Sequence, residues 1–494
     1  MRDVTPADSA IIRFRLDGET VAVTGLPATT TVLEYLREQC GRTGTKEGCA
    51  EGDCGACTVV IGETSPDGEH IDYRATNACI RFLPTLDGKE LITVESLRHG
   101  ERLHPVQQAL ADGHGSQCGF CTPGFVMALF ALYLNEAAPS RERVIEALSG
   151  NLCRCTGYRP IIEAGLRMAE YPQPAHWSRA QAQSSAHLAD LQALRREAAL
   201  RLPDFHAPTT LAELAEILAA KPEALILAGG TDIGLWVTKQ LRCLPTLVYL
   251  GAVEALRRIR LTERFLEIGA AVSLHDAWQA IVAIYPQLTE VAQRFGSPAI
   301  RNGGTLCGNL ANGSPIGDSM PALLALDAEL ELQCGAQTRR LNLDRFYLGY
   351  RKKDLRAGEF ITSVRIPTPR ANLRLGCYKL AKRWDQDISA VCAAFAIEVS
   401  DGRIRDARIA YGGMAPIPAR ARCTEAALIG QPWQRTTIET ACARLAEDYS
   451  PLSDARASAG YRLQAAANLL RRFYLQQEGS ISVLRIQDVL HEPG

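Results

Sequence analysis

The chain has 494 residues, 47% hydrophobic and 22% charged, which is globular composition and enough length for three or four domains. Lys and Arg number 54 against 55 Asp and Glu, a net charge of −1, so electrostatics give no reason to expect nucleic acid or an anionic membrane as partner. Met1 to Ile12 lacks an apolar core of signal-peptide length and no run approaches a membrane span, so the cytoplasm is the expected compartment.

Taken in order, Ile11–Leu16, Thr58–Ile61 and Leu91–Val94 read as half-buried strands of a small α+β unit with Gly-rich turns. From about residue 104 the period turns helical. Thr122-Pro123 opens a helix with Phe125, Ala128, Leu129, Leu132 and Tyr133 on one face. Ser140 caps a second helix ending at Gly150, and Pro160 opens a third running to about Tyr171. The stretch 173–202, rich in Ala, Gln, Ser and Arg, reads as a linker with some helix. A larger α/β unit begins near Pro203 and a smaller one near Gly376.

Sixteen cysteines are many for a compartment that keeps thiols reduced. Leaving Cys40 aside, eight crowd between Cys49 and Cys155, while seven are scattered from Cys243 to Cys442 and read as small buried hydrophobes. Cys49, Cys54 and Cys57 form a C-x4-C-x2-C run in a Gly-rich loop, with Cys79 as a fourth thiol. This is the plant-type ferredoxin spacing, in which four soft thiolates serve two irons. Gly48, Gly52 and Gly55 permit the tight turns such a loop needs. Zinc, which prefers paired C-x2-C arms, fits this set less well. The second set is Cys118 and Cys121 (C-x2-C), with Cys153 and Cys155 (C-x-C), each pair just before a helix. Helix N-termini favour an anionic thiolate cluster, although four converging thiolates alone leave zinc open.

Further on, Ala224–Ala228 reads as a buried strand, followed by Gly229-Gly230-Thr231-Asp232 and a helix through Lys239. Such a junction can cradle a pyrophosphate, and equally can be only a turn. It is not a G-x-G-x-x-G fingerprint, so no Rossmann domain is implied. A second loop, Phe295–Asn309 followed by Ser314–Asp318, offers many amides and little bulk, with Phe295, Ile300 and Leu306 embedded in it.

The two cysteine motifs, in this order and separation, resemble the iron–sulfur half of the molybdenum hydroxylases, the xanthine dehydrogenase family, and all eight ligand positions are present. The resemblance implies a multidomain α+β chain with four parts. These are a ferredoxin-like β-grasp domain (9–92), a four-helix [2Fe–2S] domain (93–172), an α+β FAD-binding domain of the vanillyl-alcohol-oxidase/CO-dehydrogenase flavoprotein type (203–375), and a small α+β C-terminal domain (376–478). It also implies a molybdopterin beside the second cluster, near Gln117 and Cys155. Carried over by position, Ile226, Leu227, Ala228, Gly229, Gly230, Thr231, Asp232 and Ile233 would hold the FAD pyrophosphate and ribityl chain with Thr305, Leu306, Cys307, Gly308 and Asn309. Phe295 would stack near the isoalloxazine, and Asp318, Ile361 and Lys379 would complete the site. Tyr350 and Asp387 match positions that receive nicotinamide in NAD-using members. The tail after Gly479 lies outside the resemblance.

Flavin exchanges one or two electrons, so it belongs between clusters and NAD. No segment resembles a molybdopterin domain, so the resemblance implies the iron–sulfur/FAD subunit of a purine-hydroxylating enzyme. Its partner would be a molybdopterin-binding large subunit in a heterotetramer of two small and two large chains, with NAD as acceptor. Two alternatives stand beside it. One is the same relay serving an aldehyde, N-heterocycle or aromatic acyl thioester; the other is a zinc-stabilised binding protein.

Overall fold

The computed structural model describes residues 8–174 and 176–480; the tail after Gly479 thus lies, apart from Ser480, outside the described residues, as do Met1 to Pro6 and Ala7 of the N-terminal reading. Alternation of buried and half-buried residues along β1 (Ile12–Leu16) sets the first unit. β2 (Glu19–Val23) follows, then a one-turn helix α1 (Val32–Glu34) whose Thr31 and Glu34 form a reciprocal cap. β3 (Thr58–Thr64), β4 (Ile71–Asn77) and β5 (Glu90–Ile92) complete a mixed sheet in the order β2-β1-β5-β3-β4, with β1 and β5 parallel. The cluster-type loop of Cys49–Cys57 leads directly into β3.

Period-2 geometry gives the last two strands different neighbours on each face. Ile71, Tyr73 and Ala75 of β4, with Val60 of β3, join the core of the helical unit. Asp72, Arg74 and Thr76 point the other way, into a cavity against the flavin unit. One sheet therefore packs against both neighbouring units.

The helical unit consists of α2 (Pro105–Asp112), α3 (Thr122–Asn135), α4 (Arg141–Leu148) and α5 (Arg159–Arg167). α3 is buried from Gly124 to Leu134 and is its central post. Next come the short helices α6 (Arg179–Ala182) and α7 (Ser185–Gln192). Trp177 packs edge-on against Tyr73, Phe130 and His187, and His187 Nε2 lies 2.6 Å from the Glu90 carboxylate. The Ala- and Gln-rich stretch is thereby fastened to the first two units.

The flavin unit has two sheets. β6 (Leu200–Leu202), β7 (Phe205–Ala207), β8 (Leu225–Leu227) and β9 (Leu247–Tyr249) form the first in the order β6-β7-β9-β8, with β7, β9 and β8 parallel. α8 (Leu211–Ala220) and α9 (Ile233–Thr238) flank β8 in sequence. The second sheet is antiparallel and takes Ile259–Leu261, Phe265–Gly269, Phe360–Pro367, Glu329–Cys334 and Gln337–Asn342 in that spatial order. The last unit is an antiparallel meander of Leu373–Leu380, Val391–Ser400, Arg403–Gly412 and Ala419–Arg420. Its core also takes residues from the helices Arg422–Leu428, Arg435–Asp448 and Ala459–Gln477. Among the described residues no helix is long and apolar enough to cross a membrane.

Candidate functional site

The first thiol set is assembled by a loop that doubles back on itself. Ala50, Gly52 and Gly55 all have positive φ, and a Cβ on Gly48 would stand 2.8 Å from Cys54 Sγ. The loop's backbone thus closes around its own sulfurs, as a glycine-rich cluster cradle must. Backbone N–H groups of Glu51 and Cys54 donate to Cys49 Sγ, both at 3.4 Å, and Asn77 Nδ2 donates to Cys57 Sγ at 4.0 Å. Cys79, beyond β4, brings its thiol to those of Cys49 and Cys57, and Cys54 meets Cys49. All four expected residues converge.

Four thiols cannot all ionise in such a space without a cation. The Cys54 and Cys79 thiols donate to Cys49, holding its pKa far down, and their own pKa values are driven up in return. A bound metal would relieve this conflict by taking the place of the shared protons. Cys57 and Cys79 are buried, whereas Cys49 and Cys54 are half-buried.

The second set is arranged as two pairs, each taking one thiol from each loop: Cys121 with Cys153, and Cys118 with Cys155. Cys121 is the N-cap residue of α3, and Tyr158, at φ 68°, is that of α5. The Thr156 amide and hydroxyl donate to Cys153 Sγ at 3.4 and 3.2 Å. Burial pushes Cys153 up, but these donors outweigh it and hold it low. Burial and the Cys153 thiol push Cys121 up to about 12. A two-iron cluster takes two thiolates on each iron, which two thiol pairs can supply.

The loops carrying the two sets touch. Leu152 N donates to Cys54 O at 3.0 Å, and Asn151 Nδ2 to Gly55 O at 2.9 Å. A Cβ on Gly124 would lie 2.1 Å from Gly55 O, and one on Gly55 2.3 Å from Gly150 O. Glycine is required at both positions because backbone meets backbone there. On its other side the first loop meets the flavin unit. Thr238 Oγ1 donates to Ala50 O at 2.8 Å, and a Cβ on Gly52 would lie 3.1 Å from the end of Ile300.

The flavin-type segments form a largely apolar cleft of about 320 Å³ between the β8–α9 turn and Leu306–Asn312. Ile226, Ala228, Gly229, Gly230, Thr231, Asp232 and Ile233 line it, with Thr305, Cys307, Gly308, Asn309 and Ile361. Leu227 and Leu306 do not; both are core residues. Gly230 has φ 80°, and a Cβ there would meet only the end of the Leu227 side chain at 3.4 Å, while a Cβ on Gly229 would stand 2.1 Å from Gly303 O. Gly229 is therefore the tighter requirement. Thr305 caps its helix by accepting from Gly308 N at 3.1 Å. Asn309 Oδ1 is buried without a hydrogen-bond partner, a polar atom suited to a ligand's donor. These features fit FAD, whose pyrophosphate suits the glycine turn.

The remaining expected residues stand outside that lining. Phe295 is buried and packs at 6.2 Å on Trp278. Lys379 Nζ pairs with Asp318 Oδ2 at 2.7 Å and donates to Arg294 O at 3.0 Å; Arg294 Nη1 returns a bond to Lys379 O at 2.8 Å. This buried knot holds the residue before Phe295 against the last unit. Tyr350, on the Tyr347–Lys353 hairpin, is 59% exposed. Asp387 accepts from the backbone N–H of Arg383 and Ile388; burial raises its pKa but these bonds and the Arg383 charge bring it low. Sequence reasoning missed Trp236, Asn312, Lys353 and Glu359 in the cleft lining. Burial raises the Asp232 carboxyl, eased by Asn312, and lowers Lys353. Nothing in the Lys352-Lys353 pair says which lysine turns inward.

Comparison with known proteins agrees with this geometry. Residues 14–83 match the 2Fe-2S iron-sulfur cluster binding domain and 93–166 the [2Fe-2S] binding domain. Residues 198–369 match the FAD binding domain in molybdopterin dehydrogenase, and 376–477 the CO dehydrogenase flavoprotein C-terminal domain. Xanthine dehydrogenase of Emericella nidulans is 34% identical over 530 residues, covering 94% of this chain and 38% of that protein. Xanthine dehydrogenase 2 of Arabidopsis thaliana is 33% identical, covering 83% and 36%. The chain thus spans under two fifths of the length of these relatives. Among solved structures, carbon monoxide dehydrogenase from Hydrogenophaga pseudoflava superposes with a TM-score of 0.51 at 28% identity, over 55% of this chain and 94% of that one. Reconstituted CO dehydrogenase from Oligotropha carboxidovorans gives 0.51 at 28%, over 55% and 95%. With both iron–sulfur domains, the FAD-binding domain and the flavoprotein C-terminal domain all matched in chain order, this chain belongs to the molybdenum hydroxylase family.

Proposed function

We propose that this chain is the electron-carrying subunit of a xanthine dehydrogenase, moving electrons from a molybdopterin-binding partner to NAD as hypoxanthine or xanthine is hydroxylated. Cys49, Cys54, Cys57 and Cys79 would ligate one [2Fe–2S] cluster, and Cys118, Cys121, Cys153 and Cys155 the other. The glycine turn at Gly229-Gly230 and the Thr305–Asn309 cap would hold the FAD, which when bound supplies both one- and two-electron exchange. The observation that carries this reading is the position of the Cys49–Cys57 loop, bonded to Asn151 and Leu152 on one side and to Thr238 on the other. The first cluster site thus stands between the second and the flavin cleft.

The exposed thiols Cys118 and Cys155, with half-exposed Phe120 and Leu152 beside them, form the face we assign to the molybdopterin partner, in a heterotetramer of two chains of each kind. Tyr350 and Asp387 are assigned to nicotinamide, and the complex to the cytoplasm. The domain limits proposed are 9–92, 93–172, 203–375 and 376–478, joined by 173–202, whose last residues, Leu200–Leu202, already form the edge strand of the flavin unit's first sheet. A second reading keeps the relay and changes the substrate; the likeness to carbon monoxide dehydrogenase chains favours keeping it in view.

The test is to co-purify the chain with its molybdenum-containing partner and add xanthine and NAD without oxygen. Bleaching of the iron–sulfur absorbance with NADH formation is expected. Bleaching by an aldehyde or N-heterocycle but not by xanthine would favour the second reading. A colourless zinc protein would end both.

A further inference from the structure

The face of the ferredoxin-like sheet turned toward the flavin unit is charged. The β3–β4 register sets Ile61 opposite Arg74 and Glu63 opposite Asp72. These residues border a polar cavity of about 120 Å³, together with Arg81 and Lys89 from the same unit and Tyr249, Arg257 and Asp276 from the flavin unit. The cavity lies behind the flavin turn. It shares Ala228, Gly229 and Thr305 with the cleft as a common wall, and the close approach of Gly229 to Gly303 O helps close that wall.

Most charges here are matched. Glu63 lies 3.1 Å from both Lys89 and Arg257. Arg74 pairs with Asp276 at 2.6 Å and with Asp72 at 3.2 Å. Arg81 is the exception in direct contact: among the described residues no carboxylate lies within 4 Å of its guanidinium, its charge reaching Glu63 only from farther off, and its Nε is buried without a hydrogen-bond partner. Four cations thus face three carboxylates around one cavity. A half-buried guanidinium left this way costs stability until an anion meets it, and its planar fork suits an oxyanion. Beside it, Lys89 Nζ donates to Tyr249 Oη at 3.3 Å, leaving the phenolic hydrogen for another acceptor.

We propose that this cavity binds a small tetrahedral oxyanion of the phosphate or sulfate class, held by Arg81 with help from Lys89 and Tyr249 Oη. The ion would bridge the ferredoxin-like unit to the flavin unit and tighten their contact, by the ordinary linkage of a ligand that binds only the folded state. It plays no part in redox chemistry and does not depend on the substrate proposed above.

The test uses the full chain loaded with FAD and clusters, titrated with inorganic phosphate against chloride at constant ionic strength. Binding is followed by phosphorus NMR line width and by the unfolding midpoint. Saturable binding, displaced by sulfate and raising the midpoint, is expected. Arg81→Met should weaken it by about tenfold or more, the worth of a charge-assisted bond. Arg258→Met, at a side chain that is 70% exposed and outside this cavity, should leave it unchanged. Absence of saturable binding to the loaded wild-type chain would overturn the proposal, whether or not the Arg81 variant folds. So would equal binding by Arg81→Met, or binding that appears only once FAD is removed, which would place the phosphate in the flavin cleft.

Discussion

The two thiol sets answer the same chemical demand in opposite surroundings. The first is threaded through a sheet, with Cys57 and Cys79 buried and its loop pressed between two other units. The second sits at two helix starts, with Cys118 and Cys155 exposed. A carrier inside a relay needs neighbours on both sides, whereas a carrier that meets another protein must reach the surface. In this chain the difference in burial follows the proposed direction of electron flow.

Ligand replacement should separate the two most sharply. Cys57→Ser exchanges a soft ligand for a hard one inside a packed core, so it should halve the iron content, destabilise the fold and cut turnover with the partner on the order of 100-fold or more. Cys118→Ser should remove the second cluster while the unfolding midpoint stays near wild type. Equal loss of stability in both would break the comparison.

Acid should act on the second region first. His104 caps α2 by accepting from Val106 N at Nδ1, and its Nε2 meets Trp177 O at 3.3 Å. Burial, working against the bond to Trp177 O and aided by the nearby His176, lowers its pKa to about 4. The folded value lies below the unfolded one of about 6.5, so the unfolded chain takes up the extra proton between them. The contribution is complete above pH 6.5 and is lost as pH falls toward 4, about 3 kcal/mol in all. His104→Asn keeps a capping acceptor without a titrating group and should flatten the pH dependence of the unfolding midpoint. An unchanged slope would rule this origin out.

On the flavin side, Gly229→Ala should lower FAD occupancy and cost about 1–3 kcal/mol, because its Cβ would strike a backbone carbonyl. Gly230→Ala, limited by positive φ alone, should cost about 1 kcal/mol. Iron content should be unchanged in both. FAD retained at wild-type level in Gly229→Ala would move the pyrophosphate elsewhere. The smallest effect expected is that of Tyr350→Ala. This exposed residue should change stability by less than about 0.5 kcal/mol and slow only exchange with nicotinamide. Slower cluster reduction by substrate in stopped-flow traces would remove it from the exit.

The sequence reading was strongest where local chemistry dictates structure. Pro123, Ser140 and Pro160 mark helix starts at Thr122, Arg141 and Arg159, and the cysteine spacing brought all eight thiols into two groups. β2 and β4 went unread because Glu19–Val23 is an exposed edge and Ile71–Asn77 alternates between two different neighbours. The role of 173–202 was equally hidden. Its anchors are single residues, Trp177, Ala182, His187 and Leu191, too few to set a period. Within the flavin cleft the Gly and Thr positions were legible from their turn chemistry. Trp236, Lys353 and Glu359 were not, since only tertiary folding turns them inward.

The central claim is that each thiol set holds its own two-iron cluster. Electron paramagnetic resonance of the fully reduced chain, with metal analysis of the same sample, tests it most directly. The account predicts about four irons per chain and two distinguishable cluster signals, of which only the first disappears in Cys57→Ser and only the second in Cys118→Ser. Zinc at either set, or a single signal after complete reduction, would contradict it.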